Sequence, residues 1–263
     1  MCRLIKVLLL VAIIFSVVHF ESVSRVAVLD LYPEPNTIFE DRSGNILRWI
    51  PDAKGERHIW TSLDDIPLVI QNAFISAEDH RFYSHPGVDV LAILRAVKSN
   101  FTEGHIVSGA STLTQQLSRI TYPRKRTYYD KLVELLRSLR IELLLDKEQI
   151  LELYLNRVPL GNNLVGVKAG SKVYFGKILS RLTHSEAAML AALPKAPGKL
   201  NPYGRNISSL IERKNWVLRK MNTNEHISFD MLHGSLRDIP VLTPKSFPFS
   251  APHFINQVLP VSG

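Results

Sequence analysis

From residue 65 onward the apolar positions recur at helical spacing, and residues able to cap a helix stand in front of several runs. Asp65 predicts a helix start with Pro67 in the first turn and an end near Asp79. Asp89 predicts a second helix to about Phe101, with Val90, Leu91, Leu94 and Val97 on its apolar side. Ser111 predicts a third, carrying Thr114, Gln115 and Gln116. Leu132, Leu135, Leu136, Leu139 and Leu143 place a long helix between Tyr128 and Leu145, and another covers Lys147 to Asn156. Thr183-His184-Ser185-Glu186 has the spacing of a capping box and opens a helix through Leu193. Asn206 predicts a helix to about Met221. Upstream, Val26 to Tyr32 alternates weakly, as a strand would. Thr37 to Glu40 and Asn45 to Ile50 flank a glycine-containing turn and predict a hairpin. Past Thr223 the prolines thicken and a looser tail is expected. The pattern is that of a mainly α protein with a small β-hairpin region.

Composition adds little to this. The 263 residues are 46% hydrophobic and 21% charged, enough to bury one substantial core. The single cysteine, Cys2, excludes an intramolecular disulfide, and no clustered metal-ligand spacing is present. The first residues say more. Arg3 and Lys6 precede an uncharged run from Val7 to Phe20, and counting from Leu4, with Lys6 reaching to the interface, gives 17 residues. A signal anchor over residues 1–22 is expected, with the positive flank inside and the rest of the chain outside. The alternative is a cleaved secretory peptide ending near Ser22-Val23-Ser24. The net charge of +8 is spread along the chain without an aromatic-interleaved motif, so a nucleic-acid partner is not expected. Anionic lipid or a pyrophosphate-bearing substrate suits it better.

Five strings carry the chemistry: Glu78–Gly87 (EDHRFYSHPG), Gly109–Gln116 (GASTLTQQ), Lys131–Glu134 (KLVE), Lys147–Asn156 (KEQILELYLN) and His184–Ala191 (HSEAAMLA). In this order they resemble the glycosyltransferase domain of peptidoglycan polymerases, glycosyltransferase family 51, with a strong likeness to class A penicillin-binding proteins of the 1C type. The resemblance implies a lysozyme-like fold at residues 61–223, a juxtamembrane β region at 23–60 and a tail at 224–263 similar to the linker towards a transpeptidase domain. The Ser-x-x-Lys and Lys-Thr-Gly strings of such a domain do not occur in this chain, so no penicillin reactivity is expected.

Glycosyl transfer to a sugar hydroxyl needs a base for the acceptor and stabilisation for the leaving group. Glu78 follows Phe74, Ile75 and Ala77 and precedes Phe82, apolar surroundings that would raise a carboxyl pKa. Taken alone, Glu78 and Asp79 could equally be a solvated helix end. By resemblance Glu78 is the base for the acceptor 4-hydroxyl, with Asp79 beside it at the substrate. Glu134 shares a helix face with Lys131, three residues away. By resemblance it supports Glu78 and lies near the pyrophosphate or an associated divalent cation, magnesium or manganese. No organic cofactor is expected. Arg119, Arg126 and Lys131 are the expected pyrophosphate ligands, since arginine forks grip phosphate oxygens at two points. Arg124 and Lys125 read as a solvated charge run. Ser111, Thr112, Gln115 and Gln116 suit sugar hydroxyls, or simply an N-cap and a polar helix face. Asp130 stands where the family pattern has arginine, a charge reversal that should weaken anion binding unless the carboxylate is turned away. The partners implied are lipid II, the growing glycan strand, membrane lipids and cell-wall synthesis proteins, outside the cytoplasmic membrane. A lytic enzyme on the same scaffold, or a catalytically weak remnant that binds lipid II, are the rival readings.

Overall fold

The computed structural model describes residues 21–22, 24–42, 46–103, 111–125, 127–204 and 207–245. The fold is mainly helical. The principal helices are α1 (Leu68–Glu78), α2 (Val90–Glu103), α3 (Leu113–Thr121), α4 (Tyr128–Leu144), α5 (Lys147–Arg157), α6 (His184–Ala192), α7 (Ile207–Thr223) and α8 (Phe229–Arg237). The chain divides into two compact units. One contains the N-terminal residues through Leu31 and Arg81–Ile150, the other Tyr32–His80 and the chain from Leu151 onward.

In the first unit α3 packs on α4. Leu113, Leu117, Val133 and Ile141 are fully buried. Asp89 opens α2 as expected, its Oδ1 accepting from the Ala92 amide at 2.7 Å. The cap of α3 is Thr112, one residue later than expected. Its hydroxyl accepts from the Gln115 amide while the Gln115 side chain returns to the Thr112 amide, a reciprocal box that satisfies two end donors. Val28–Leu31 forms a short 3-10 turn in place of the expected strand, with Leu31 buried and the others exposed.

In the second unit α1, α6 and α7 pack on one another, burying Ile70, Phe74, Leu190, Val217 and Leu218. Asp65 ends a 3-10 turn rather than opening α1. Pro67 holds the cap position, and its missing amide proton costs nothing there. Strands β1 (Thr37–Glu40) and β2 (Ile46–Ile50) form the expected antiparallel pair, with a register shift after Phe39. A second sheet, not foreseen, places β5 (Leu164–Val165) between β3 (Arg57–His58) and β4 (Pro159–Gly161). Asn162 and Asn163 turn the β4–β5 hairpin with φ of 53° and 59°, the handedness that a two-residue turn requires. Gly166 follows at φ 83°, where a Cβ would stand 2.7 Å from the Asn156 carbonyl oxygen. Asn156 itself bridges α5 to the strand region, exchanging two hydrogen bonds with the Thr61 backbone at 2.9 and 2.8 Å.

The capping box at Thr183 and Glu186 forms as the sequence suggests. The expected loose tail contains α8, capped by Ser228. Lys214 of α7 joins α6 and α8 from the interior. Its fully buried ammonium donates to Ser185 Oγ at 3.1 Å, the Ser235 carbonyl at 3.3 Å and the Asp238 carbonyl at 2.7 Å. Burial pushes this lysine below its ordinary value, and the Asp238 charge opposes the change. Lys214→Met should cost about 2–4 kcal/mol, because the carbonyls would keep their desolvation without a donor. Chemical denaturation checks this, and an unchanged midpoint would show that the three bonds contribute nothing net.

Among the described residues no helix is long and apolar enough to cross a membrane. Nearly all of the expected anchor, the 43–45 turn, Arg126 and the Asn206 cap lie outside the described residues.

Candidate active site

Glu78 is the last residue of α1, a helix whose Phe74, Ile75, Ser76 and Ala77 are buried. That packing fixes the side chain at the helix end, half-buried, with Oε1 removed from solvent. The surroundings are not purely apolar, as the sequence suggested. Arg213 of α7 carries its charge into the same region. Burial lowers the guanidinium below the ordinary arginine value, and the Glu78 charge acts in the opposite sense. Arg213 is stacked on the Trp216 ring at 3.7 Å, one helical turn along. Asp79, the residue after α1, is buried, and its amide closes the helix on the Ile75 carbonyl at 2.8 Å. No spacing rule links residues 78 and 213, so the arginine could be found only once α1 and α7 were seen to pack.

The first unit gathers most of the other candidates on α3 and α4. Lys131 and Glu134 pair at 2.5 Å across one helical turn, as their spacing predicted. Lys131 Nζ also donates to Ser111 Oγ at 3.0 Å and lies 3.5 Å from Gln115 Oε1. Arg119, one turn along from Gln116, reaches to 3.9 Å of the other Glu134 oxygen. Ser111, Gln115, Arg119, Lys131 and Glu134 therefore form one connected polar group. Thr112 and Gln116 are buried beside it, Thr112 occupied as the cap and donating to the Gly87 carbonyl at 2.6 Å. The carboxylate of Glu134 faces two cations, Lys131 and Arg119.

Asp130 is accounted for locally. One oxygen pairs with Arg124 Nε at 3.0 Å and the other accepts from the Thr127 hydroxyl at 2.6 Å. Arg124 is therefore not the merely solvated charge its sequence context suggests, and the reversed charge at 130 is neutralised by it. Asp130 also lies in the first turn of α4, where a negative side chain is favoured. Asp130→Ala is expected to lower stability by about 1 kcal/mol, because the favourable charge at the helix start and the Arg124 pair are both lost. An unchanged midpoint in chemical denaturation would contradict this.

The loop from Arg81 to Asp89 is held in the same unit. Arg81 donates from Nε to Asp89 Oδ2 at 2.9 Å and pairs through a second nitrogen with Oδ1. Burial works to raise the Asp89 pKa, but the hydrogen bonds from Arg81 and Ala92 and the charges of Arg81 and His85 outweigh it and leave it low. Val90, Leu91 and Leu94, from the apolar side predicted for α2, stand well exposed.

A half-buried glutamate therefore stands at the end of α1, and a lysine–arginine–glutamate group is held on α3 and α4. The transglycosylase family model matches residues 43–222. Penicillin-binding protein 1A of Aquifex aeolicus is 39% identical over 217 residues, covering 79% of this chain and 30% of its own. Penicillin-binding protein 1A of Escherichia coli is 41% identical over 207 residues (77% and 24%), and its penicillin-binding protein 1C is 36% identical over 225 (86% and 29%). A solved structure, penicillin-binding protein 1A from Haemophilus influenzae, matches at 25% identity with a TM-score of 0.49, over 86% of this chain and 24% of that one. The chain belongs to the transglycosylase family, the glycosyltransferase family 51 domains of class A penicillin-binding proteins. It spans 24–30% of the length of the curated relatives named.

Proposed function

We infer that this chain polymerises lipid II, a disaccharide-pentapeptide on undecaprenyl pyrophosphate, into glycan strands. Glu78 takes the proton from the acceptor 4-hydroxyl, whose oxygen attacks C1 of the growing strand's terminal sugar. The C1–oxygen bond to the pyrophosphate breaks with inversion, and the lipid pyrophosphate leaves with the bonding electrons. Lys131, Arg119 and Arg126 receive that charge, Glu134 holding Lys131 in place. Ser111, Thr112, Gln115, Gln116 and Asp79 are assigned to substrate binding. A divalent cation, magnesium or manganese, would be held near Glu134 and would help to neutralise the charge on the leaving pyrophosphate.

The observation that carries this reading is the connected group of Ser111, Gln115, Arg119, Lys131 and Glu134. A muramidase cleaving glycan with water has no use for such a pyrophosphate grip. The reading extends to a lysozyme-like domain at 61–223, a β-containing region at 23–60, a membrane anchor within residues 1–22 and a linker-like tail from 224. The catalytic domain would then lie outside the cytoplasmic membrane, against lipid and other wall-synthesis proteins. Incubating the purified protein in parallel with lipid II and with isolated cell walls separates the readings. Glycan strands from lipid II, with or without added magnesium or manganese, are expected. Soluble muropeptides from the walls would instead identify a lytic enzyme.

A further inference from the structure

We propose that the ion pair between Glu142, near the end of α4, and Lys147, at the start of α5, is a positioning device that sets the first turn of α3 for substrate. This rests on the donor-binding role given above to the Lys131 group.

The pair lies at 2.8 Å, with the two side chains only 9% and 19% exposed. Taking two charges out of water costs several kcal/mol per ion, and an apolar pair of similar volume often serves stability as well or better. The compensation here lies in what each charge grips. Lys147 Nζ donates to the His85 carbonyl at 2.7 Å and sits 4.5 Å above the Phe82 ring. Glu142 Oε1 accepts a second hydrogen bond at 2.6 Å, from the hydroxyl of Thr114.

These bonds converge on two segments. The His85-Pro86-Gly87 loop is held at the His85 carbonyl by Lys147 and at the Gly87 carbonyl by Thr112. Gly87 has φ 81°, and a Cβ there would stand 2.8 Å from Glu142 Cγ and 2.9 Å from the Ser138 carbonyl oxygen, so the loop lies directly on the Glu142 stem. The first turn of α3 is held at Thr112 by the loop and at Thr114 by Glu142. Between those threonines and Gln116 stands Gln115, which faces Lys131 and closes the capping box. A shift of Thr114 by one hydrogen-bond length therefore displaces Gln115, and with it the Ser111–Lys131–Glu134 group. Positioning errors of about 1 Å can cost about a hundredfold in rate.

Two variants test this. Thr114→Val cuts the hydroxyl link and leaves the ion pair intact. The double variant Glu142→Met with Lys147→Met removes the charges and keeps the volume. Each is read by thermal midpoint, by hydrogen exchange at the Gln115 and Gln116 amides, and by the KM and kcat for lipid II. The double variant should melt at or above the wild-type temperature, and both should exchange at least tenfold faster at those amides. Both should raise KM several-fold more than they lower kcat. Wild-type exchange in either variant, or faster exchange with wild-type KM and kcat, would overturn the proposal. Should the double variant fail to fold, Thr114→Val alone decides. A wild-type protein that makes no glycan would defeat the functional reading, while the exchange data would still decide whether the pair sets α3.

Discussion

Glu78→Gln should lower glycan synthesis by about a hundred- to ten-thousandfold, the range expected when a general base is removed. The exchange is close to isosteric, and α1 is anchored by Ile70, Ala73 and Phe74 rather than by its last residue, so the helix should remain. What changes is charge. The amide cannot accept the acceptor's proton, and Arg213 loses the anion that offsets its own burial. A small loss of stability, about 1–3 kcal/mol, should accompany the loss of turnover. Lipid II binding should persist. Synthesis within threefold of wild type would remove Glu78 from the chemistry.

The second large effect is expected at Lys131. This ammonium contacts Glu134, Ser111 and Gln115, more partners than Arg119 has among the described residues. Lys131→Met keeps the stem and removes the charge. On the proposed reading the leaving pyrophosphate then departs without one of its assigned cations, and Glu134 is left with Arg119 at 3.9 Å. Loss of one such stabilising group typically costs a hundred- to a thousandfold, about 2.7–4 kcal/mol, in kcat. Lys131→Arg should restore only part of it, because a planar fork does not reproduce a point charge with three donors. Steady-state kinetics with lipid II checks both. Loss confined to KM would place Lys131 in ground-state binding instead.

How much of this was legible in the sequence depends on the range of the interaction concerned. Local chemistry read well. Asp89 and the Thr183–Glu186 box cap the predicted helices because capping is decided within four residues. The same rule could have chosen Thr112 over Ser111: Gln115 stands three residues after Thr112 and closes the box, whereas Ser111 has Thr114 at that place. The Lys131–Glu134 pair followed from helical spacing alone. Interactions between distant segments did not read. Arg213 and Lys214 look like surface charges in a polar helix, yet Lys214 lies on the stripe with Leu210, Val217, Leu218 and Met221 and is fully buried. The short strands β3 to β5 carry too few residues for a period-two pattern, and β3 pairs with β5 across more than a hundred positions. Helix α8 was hidden because the tail was read from its prolines, although the first of them, Pro240, comes only after the helix that Ser228 caps has ended at Arg237.

One measurement bears most directly on the account: release of undecaprenyl pyrophosphate from lipid II by the purified chain, followed together with the length and linkage of the glycan formed. Pyrophosphate should appear in step with β-linked strand growth, and both should vanish together in Glu78→Gln. Pyrophosphate release without strand growth, or strand growth that persists in Glu78→Gln, would contradict it.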